Sequence, residues 1–208
     1  MIIGIDGYAG AGKDTVADVL TSIGFSKVSF ADELRRTASH AFGFSMDTFI
    51  DRDLKDKLFD KPYILTPKAL CEFCDYLGFE HKCDEVVIKF KHTEVFSPRH
   101  LLQFVGTEVA RQTLAPSIWL DKYLENIQGK GLVVTPDARF DNERDLIKGM
   151  SGLVMWIDRK GVEPESKHVS ANEKWPLDKY DLVVYNQGTR YDLKEEISLW
   201  WSLVGHKK

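Results

Sequence analysis

Near the start of the chain, Gly7-Tyr8-Ala9-Gly10-Ala11-Gly12-Lys13-Asp14-Thr15 sets a glycine, four residues and then Gly-Lys in line. That spacing suits the binding of a polyphosphate. Glycines let the backbone fold into a concave nest whose N–H groups point inward. A helix that begins there adds its positive N-terminal end. The Lys13 ammonium can reach between two phosphates as a point charge. One position departs from the common pattern. Asp14 stands where Ser or Thr usually follows the lysine, and Thr15 comes one place later. A magnesium ion would then be held through phosphates and water rather than by a loop hydroxyl.

A second group of charges follows the apolar run Leu132-Val133-Val134, in Thr135-Pro136-Asp137-Ala138-Arg139. Ligands of an open parallel sheet bind beyond the carboxyl ends of its strands. Asp137 and Arg139 are therefore candidates to share the edge that carries the glycine loop. Asp137 would orient Mg²⁺ or its waters, and Arg139 would neutralise a phosphoryl group in transfer. A solvated Asp–Arg turn opening the next helix accounts for the same residues. Further along, a helix from Pro98 to Thr113 at about 100° per residue puts Leu101, Leu102, Val105 and Val109 on one face. Arg99, Gln103, Gly106 and Ala110 fall opposite, flanked by Thr107 and Arg111. Such a stripe could lie along a flat base, with Gly106 leaving room and Gln103 offering a donor and an acceptor. An ordinary amphipathic helix with a wet face would carry the same pattern.

The elements that would position these groups alternate. Residues 1–6 read as a buried strand, 14–23 as a helix closed by Gly24, 25–30 as a strand and 31–42 as a helix. Thr66-Pro67 opens a predicted helix that Gly78 stops, and 85–90 reads as a strand. Helices are predicted over 98–113, 117–127, 141–150 and 190–204, and strands over 131–135, 153–158 and 182–185. This alternation indicates an α/β fold with a parallel sheet. Trp200-Trp201 is expected to pack the last helix on that sheet. Arg35-Arg36 after Asp32-Glu33 reads as a helix-surface charge cluster at least as well as a phosphate contact.

A formal charge of -4 and a pI near 5.9 suggest neither nucleic acid nor an anionic membrane as partner. Three cysteines, an odd number, argue against a disulfide-stapled secreted domain and for a reducing cytoplasm. The start is too short and too uncharged for a signal peptide, and no apolar run approaches the ~20 residues of a membrane helix. The expectation is a cytoplasmic protein. Cys71 and Cys74 with His81 and Cys83 have the content of a zinc site. Leu70, Phe73, Cys74 and Leu77 form one helical face, however, and no glycine follows Cys71 or Cys74, which favours a packed helix.

The Gly-Lys-Asp-Thr variant resembles nucleoside monophosphate kinases such as adenylate kinase, which also place threonine second after the lysine. A longer series of segments resembles the bacteriophage deoxynucleoside monophosphate kinase family. In chain order these are Gly12 to Asp18, Ser97 to Gln103 with Gly106-Thr107-Glu108, Trp119, Thr135 to Glu143, and Asp181 to Val184 with Asn186. Only 44–96 is poorly covered. The resemblance implies a P-loop kinase, three α/β/α layers around a mostly parallel five-stranded sheet, with ATP as donor and Mg²⁺ as cofactor. The chain is then one domain over 1–208, with 44–96 as an acceptor-side insertion and 159–178 as a lid segment. No side chain is read as a metal ligand.

By that likeness Gly10, Gly12, Lys13, Asp14 and Thr15 bind ATP, with Arg159 as the lid arginine. Arg99, Gly106, Thr107, Trp119, Asp137 and Glu143 line the acceptor-nucleotide site, joined by Gln103 and Arg111 from the helix stripe. Lys13, Asp137 and Arg139 form the reacting set. The family's His-x-x-Glu is broken here: Ala171 stands where its Glu would follow His168, and no role is read for that histidine. Homodimerisation is suggested by the family likeness alone. An acceptor phosphate is already ionised near neutral pH, so no general base is expected, only in-line positioning and charge neutralisation. The rival readings are a dephospho-coenzyme A or phosphomevalonate kinase-like enzyme, and a nucleotide-binding regulator without catalysis.

Overall fold

The computed structural model describes residues 1–163 and 174–205. His168 and the central part of the expected lid segment lie outside the described residues. The chain begins β1 (Ile2–Asp6), α1 (Lys13–Ser22), β2 (Ser26–Lys27), α2 (Asp32–Phe42), α3 (Met46–Ile50) and α4 (Arg52–Asp56). It continues β3 (Tyr63–Ile64), α5 (Pro67–Tyr76), α6 (Cys83–Phe90), β4 (Glu94–Val95) and α7 (Pro98–Phe104), which runs into a wide-turned helix (Val105–Leu114). The rest is α8 (Ile118–Ile127), β5 (Val133–Thr135), α9 (Asp141–Gly149), β6 (Leu153–Asp158), β7 (Leu182–Tyr185) and α10 (Arg190–Val204). Two compact units result: Met1–Phe30 with Tyr123–Lys208, and Ala31–Lys122. The segment 44–96 falls inside the second.

The first unit is built on a five-stranded sheet in the order β2-β5-β1-β6-β7, with every neighbouring pair parallel. This is the expected α/β architecture. Strand alternation sends Ile3 and Ile5 of the central β1 to one face, where they join Val134, Met155, Ile157 and Val184. Val16, Ala17 and Leu20 of α1 and Leu193 and Ile197 of α10 complete that core, with Trp200 and Trp201 packed on it as expected. On the opposite face Gly4 lets α9 approach: a Cβ there would meet Ile147 Cδ1 at 2.5 Å. Helices thus cover both faces and make three layers.

The second unit has its own core, which includes Phe49, Leu65, Leu70, Phe73, Val86, Val95, Leu101, Val105 and Val109. Two short strands, β3 and β4, pair antiparallel within it. The expected strand over 85–90 is instead the helix α6. Its burial follows a spacing of four, with Val86 and Phe90 inside and Ile88 76% exposed, so helical packing overrides the β-branched run. α5 and α6 run close enough to join Cys71 to Cys83 in a disulfide, Cα–Cα 5.0 Å. The expectation of unpaired cysteines therefore holds only for Cys74, a buried free thiol that burial pushes up to about 11. Arg35 and Arg36 pair with Asp32 and Glu33 one turn earlier. Among the described residues no helix is long and apolar enough to cross a membrane.

Candidate active site

Because the sheet is parallel, the carboxyl ends of its strands share one edge. Register aligns Gly4 with Thr135 of β5 and Asp6 with Trp156 of β6. The loop after β1, the segment after β5, Arg159 after β6 and Asn186 after β7 therefore converge.

The loop is shaped by backbone that only glycine adopts easily. Gly7, Gly10 and Gly12 have φ of 146°, 80° and 114°. Gly12 also meets its neighbours closely, since a Cβ there would lie 2.7 Å from Asn186 Nδ2 and 2.9 Å from Leu193. Asn186 Nδ2 donates to the Ala11 carbonyl at 2.7 Å, tying the loop to the end of β7. α1 starts at Lys13 with no side chain on its first N–H groups, leaving them for an anion. Lys13 Nζ donates to the carbonyls of Gly7 at 2.5 Å and Tyr8 at 2.8 Å, folded back over the nest. Burial lowers its pKa to about 8, helped by Arg139 and opposed by Asp6, Asp14 and Asp137. Arg159 Nη1 donates to the Gly10 carbonyl at 3.2 Å.

The segment after β5 is equally fixed. Asp137 Oδ1 accepts the Phe30 N–H at 3.0 Å. Glu143 Oε2 accepts the N–H groups of Arg139 at 2.9 Å and Phe140 at 3.1 Å. Glu143 is only 2% exposed and holds the turn that carries Arg139. The structure thus brings Gly10, Gly12, Lys13, Asp137, Arg139 and Arg159 to one edge. Asp14 turns outward, its side chain 87% exposed and 3.4 Å from Lys27 Nζ. Thr15 lies half-buried in the first turn of α1.

The second group is organised differently. Arg99 makes a bidentate ion pair with Asp56, with Nη2 to Oδ2 at 2.8 Å. Past Phe104 the bonding changes to i→i+5, as in Ala115 N–H to Ala110 O at 2.9 Å, and the wider turn breaks the 100° wheel. Gln103, Thr107 and Arg111 remain half-buried, but Gly106 and Ala110 turn inward. A Cβ on Gly106 would meet Leu34 Cδ2 at 2.7 Å, so its smallness serves packing. Trp119, 2% exposed, donates its indole N–H to the Gly106 carbonyl at 2.9 Å. It also packs in the core of this unit.

Sequence reasoning passed over Arg144 and Tyr180. Both are buried and bond to Asp6, whose position at the end of an apolar strand was the available signal. Asn186 carried no role in the motif reading, only a place in the family likeness.

A central parallel strand that runs through a glycine nest into a helix bearing a lysine defines a P-loop protein of the α/β kinase type. The family described as deoxynucleotide monophosphate kinase matches residues 66–197, a stretch that begins after the loop. The deoxynucleoside-5'-monophosphate kinase of Escherichia phage T5 is 28% identical over 74% of each chain. The deoxynucleotide monophosphate kinase of Enterobacteria phage T4 is 23% identical, covering 94% of this chain and 96% of that protein. An Acanthamoeba polyphaga mimivirus protein, provisionally named as the same kind of kinase, is 27% identical over 95% of this chain and 94% of its own length. The chain belongs to the deoxynucleotide monophosphate kinase family.

Proposed function

We propose that this protein transfers the γ-phosphoryl group of ATP to a deoxynucleoside monophosphate, giving the diphosphate and ADP. The observation that carries the reading is the Lys13 ammonium over a glycine nest, in a chain of this family. A bound triphosphate would take the place of the Gly7 and Tyr8 carbonyls as the acceptor for Lys13. Gly10 and Gly12 give the nest its curvature, and Thr15 sits at the helix start beside it. Arg139 and Arg159 are the further cations for charge that spreads over the transferring group. Within the first unit Asp137 is a candidate for the acceptor, and within the second Arg99, Gln103, Thr107 and Arg111 are candidates.

Magnesium fits as an ion carried by the nucleotide. The carboxylates near the loop are engaged, Asp6 with Arg144 and Tyr180, Asp14 near Lys27 and Asp137 with the Phe30 amide. Phosphate oxygens and water would complete its shell. When bound, it would neutralise charge on the donor phosphates.

A coupled ADP-release assay with MgATP tests the reading. ADP should form with one or more deoxynucleoside monophosphates, and not with dephospho-coenzyme A or phosphomevalonate. Turnover of those acceptors alone, or ATP binding with no transfer to any acceptor, would point to the rival readings.

A further inference from the structure

Asp6 closes β1 and directly precedes the first glycine of the loop. Its carboxylate bonds in three directions. Oδ1 accepts the Gly7 N–H at 2.7 Å. Oδ2 accepts the Tyr180 hydroxyl at 2.6 Å and Arg144 Nη1 at 2.5 Å. Arg144 is fully buried, with its guanidinium 4.9 Å from the Trp175 ring and Nη2 2.6 Å from Asp141. The Tyr180 hydroxyl in turn accepts the Trp175 N–H at 3.1 Å. Burial pushes the Asp6 carboxyl above its usual range, against the pull of Tyr180, Arg144 and the Gly7 amide.

Burying a carboxylate with a guanidinium gives little net stability compared with an apolar filling, so the cluster is poorly explained as a device for holding the fold. What it does hold is one residue. The Gly7 N–H goes to Asp6, and the Gly7 carbonyl, in the next peptide group, accepts Lys13 Nζ. A Cβ at Gly7 would meet the Ile157 carbonyl at 2.7 Å, so this residue sits in a tight slot. One residue thus links the buried carboxylate to the lysine of the phosphate loop.

We propose that Asp6 is a positioning residue for the donor site: clamped by Arg144 and Tyr180, its carboxylate fixes the backbone of Gly7 at its N–H, and the Gly7 carbonyl in turn sets the Lys13 ammonium for the phosphates of ATP. The inference rests on reading the loop as the ATP seat. The charged groups that bear on the Lys13 ammonium are Arg139, which disfavours it, and Asp6, Asp14 and Asp137, which favour it.

The test is steady-state kinetics of wild type, Asp6→Asn, Tyr180→Phe and Lys13→Ala, with ATP and then the acceptor varied. KM for ATP should rise about tenfold in Asp6→Asn and about threefold in Tyr180→Phe, with KM for the acceptor within about twofold of wild type. The alkaline limb of kcat/KM for ATP should also move to lower pH in Asp6→Asn, because a negative charge that favours the ammonium is gone. Should Asp6→Asn not fold, Tyr180→Phe decides alone, since it removes a single oxygen. A folded Tyr180→Phe with unchanged KM for ATP, or with both KM values raised alike, overturns the proposal. Lys13→Ala separates the two levels. If it is inactive, the ATP seat stands whatever the Asp6 variants do; if it turns over at the wild-type rate, the seat itself falls and this inference with it.

Discussion

The glycine loop and the helix from Pro98 to Leu114 both present motif residues, yet they behave differently once folded. In the loop, backbone geometry does the work. Three positive-φ glycines, a bare helix start and the lysine lie within a few residues, and the fold has only to supply a strand before and a helix after. In the helix, side-chain placement depends on regular winding, and the winding changes at Val105. A motif carried by consecutive backbone groups survives folding better than one carried by a face.

That contrast can be tested, beginning with the largest effect. Lys13→Ala should lower kcat by at least about 10³-fold while the unfolding midpoint stays within a few degrees, as read by the coupled assay and a thermal melt. Near-normal turnover would show that the loop does not do the chemistry. Reducing the Cys71–Cys83 bond, which spans 12 residues, should cost the Ala31–Lys122 unit about 2–3 kcal/mol in a denaturant melt and leave ATP affinity unchanged. Equal loss of both would mean that the two regions are not energetically separate.

A pH series bears on the loop alone. On the proposed reading nucleotide binding needs the Lys13 ammonium, which is present below its pKa of about 8 and lost as the pH rises through it. Calorimetric affinity for MgATP should therefore hold from pH 7 toward 8 and weaken roughly tenfold per unit above. A flat profile to pH 10 would remove Lys13 from the binding step. The smallest effect is expected at Trp119→Phe. Losing the indole N–H to the Gly106 carbonyl should cost about 1 kcal/mol of stability, with acceptor KM within about twofold. A large rise in acceptor KM at unchanged stability would place Trp119 in the acceptor site.

Much of the first unit was legible because its signals are local: an apolar run for β1, Gly24 after α1, and Asp137 and Arg139 just beyond β5. The strand predicted over 85–90 failed because three β-branched residues in a row look the same to a pattern whether they pair or pack, and only Val86 and Phe90 found the core. The Cys71–Cys83 bond escaped because counting cysteines says nothing about two helices brought side by side. Glu143 and Asn186 were visible as residues, but not their work: Glu143 turns back four residues onto the Arg139 amide, and Asn186 reaches the Ala11 carbonyl 175 residues away. Arg144 and Tyr180 gave no motif at all, since each acts through Asp6.

Those long separations bear on how the molecule is made. Asp6 waits for Tyr180 and Ala11 waits for Asn186, partners that a ribosome adding about 5–20 residues per second delivers roughly 10–35 s later. The glycine loop of the proposed nucleotide seat is thus made well before the residues that brace it. A nascent chain stalled anywhere in the second unit would carry the glycines and the lysine without the braces that shape them, and should leave the cell's ATP alone.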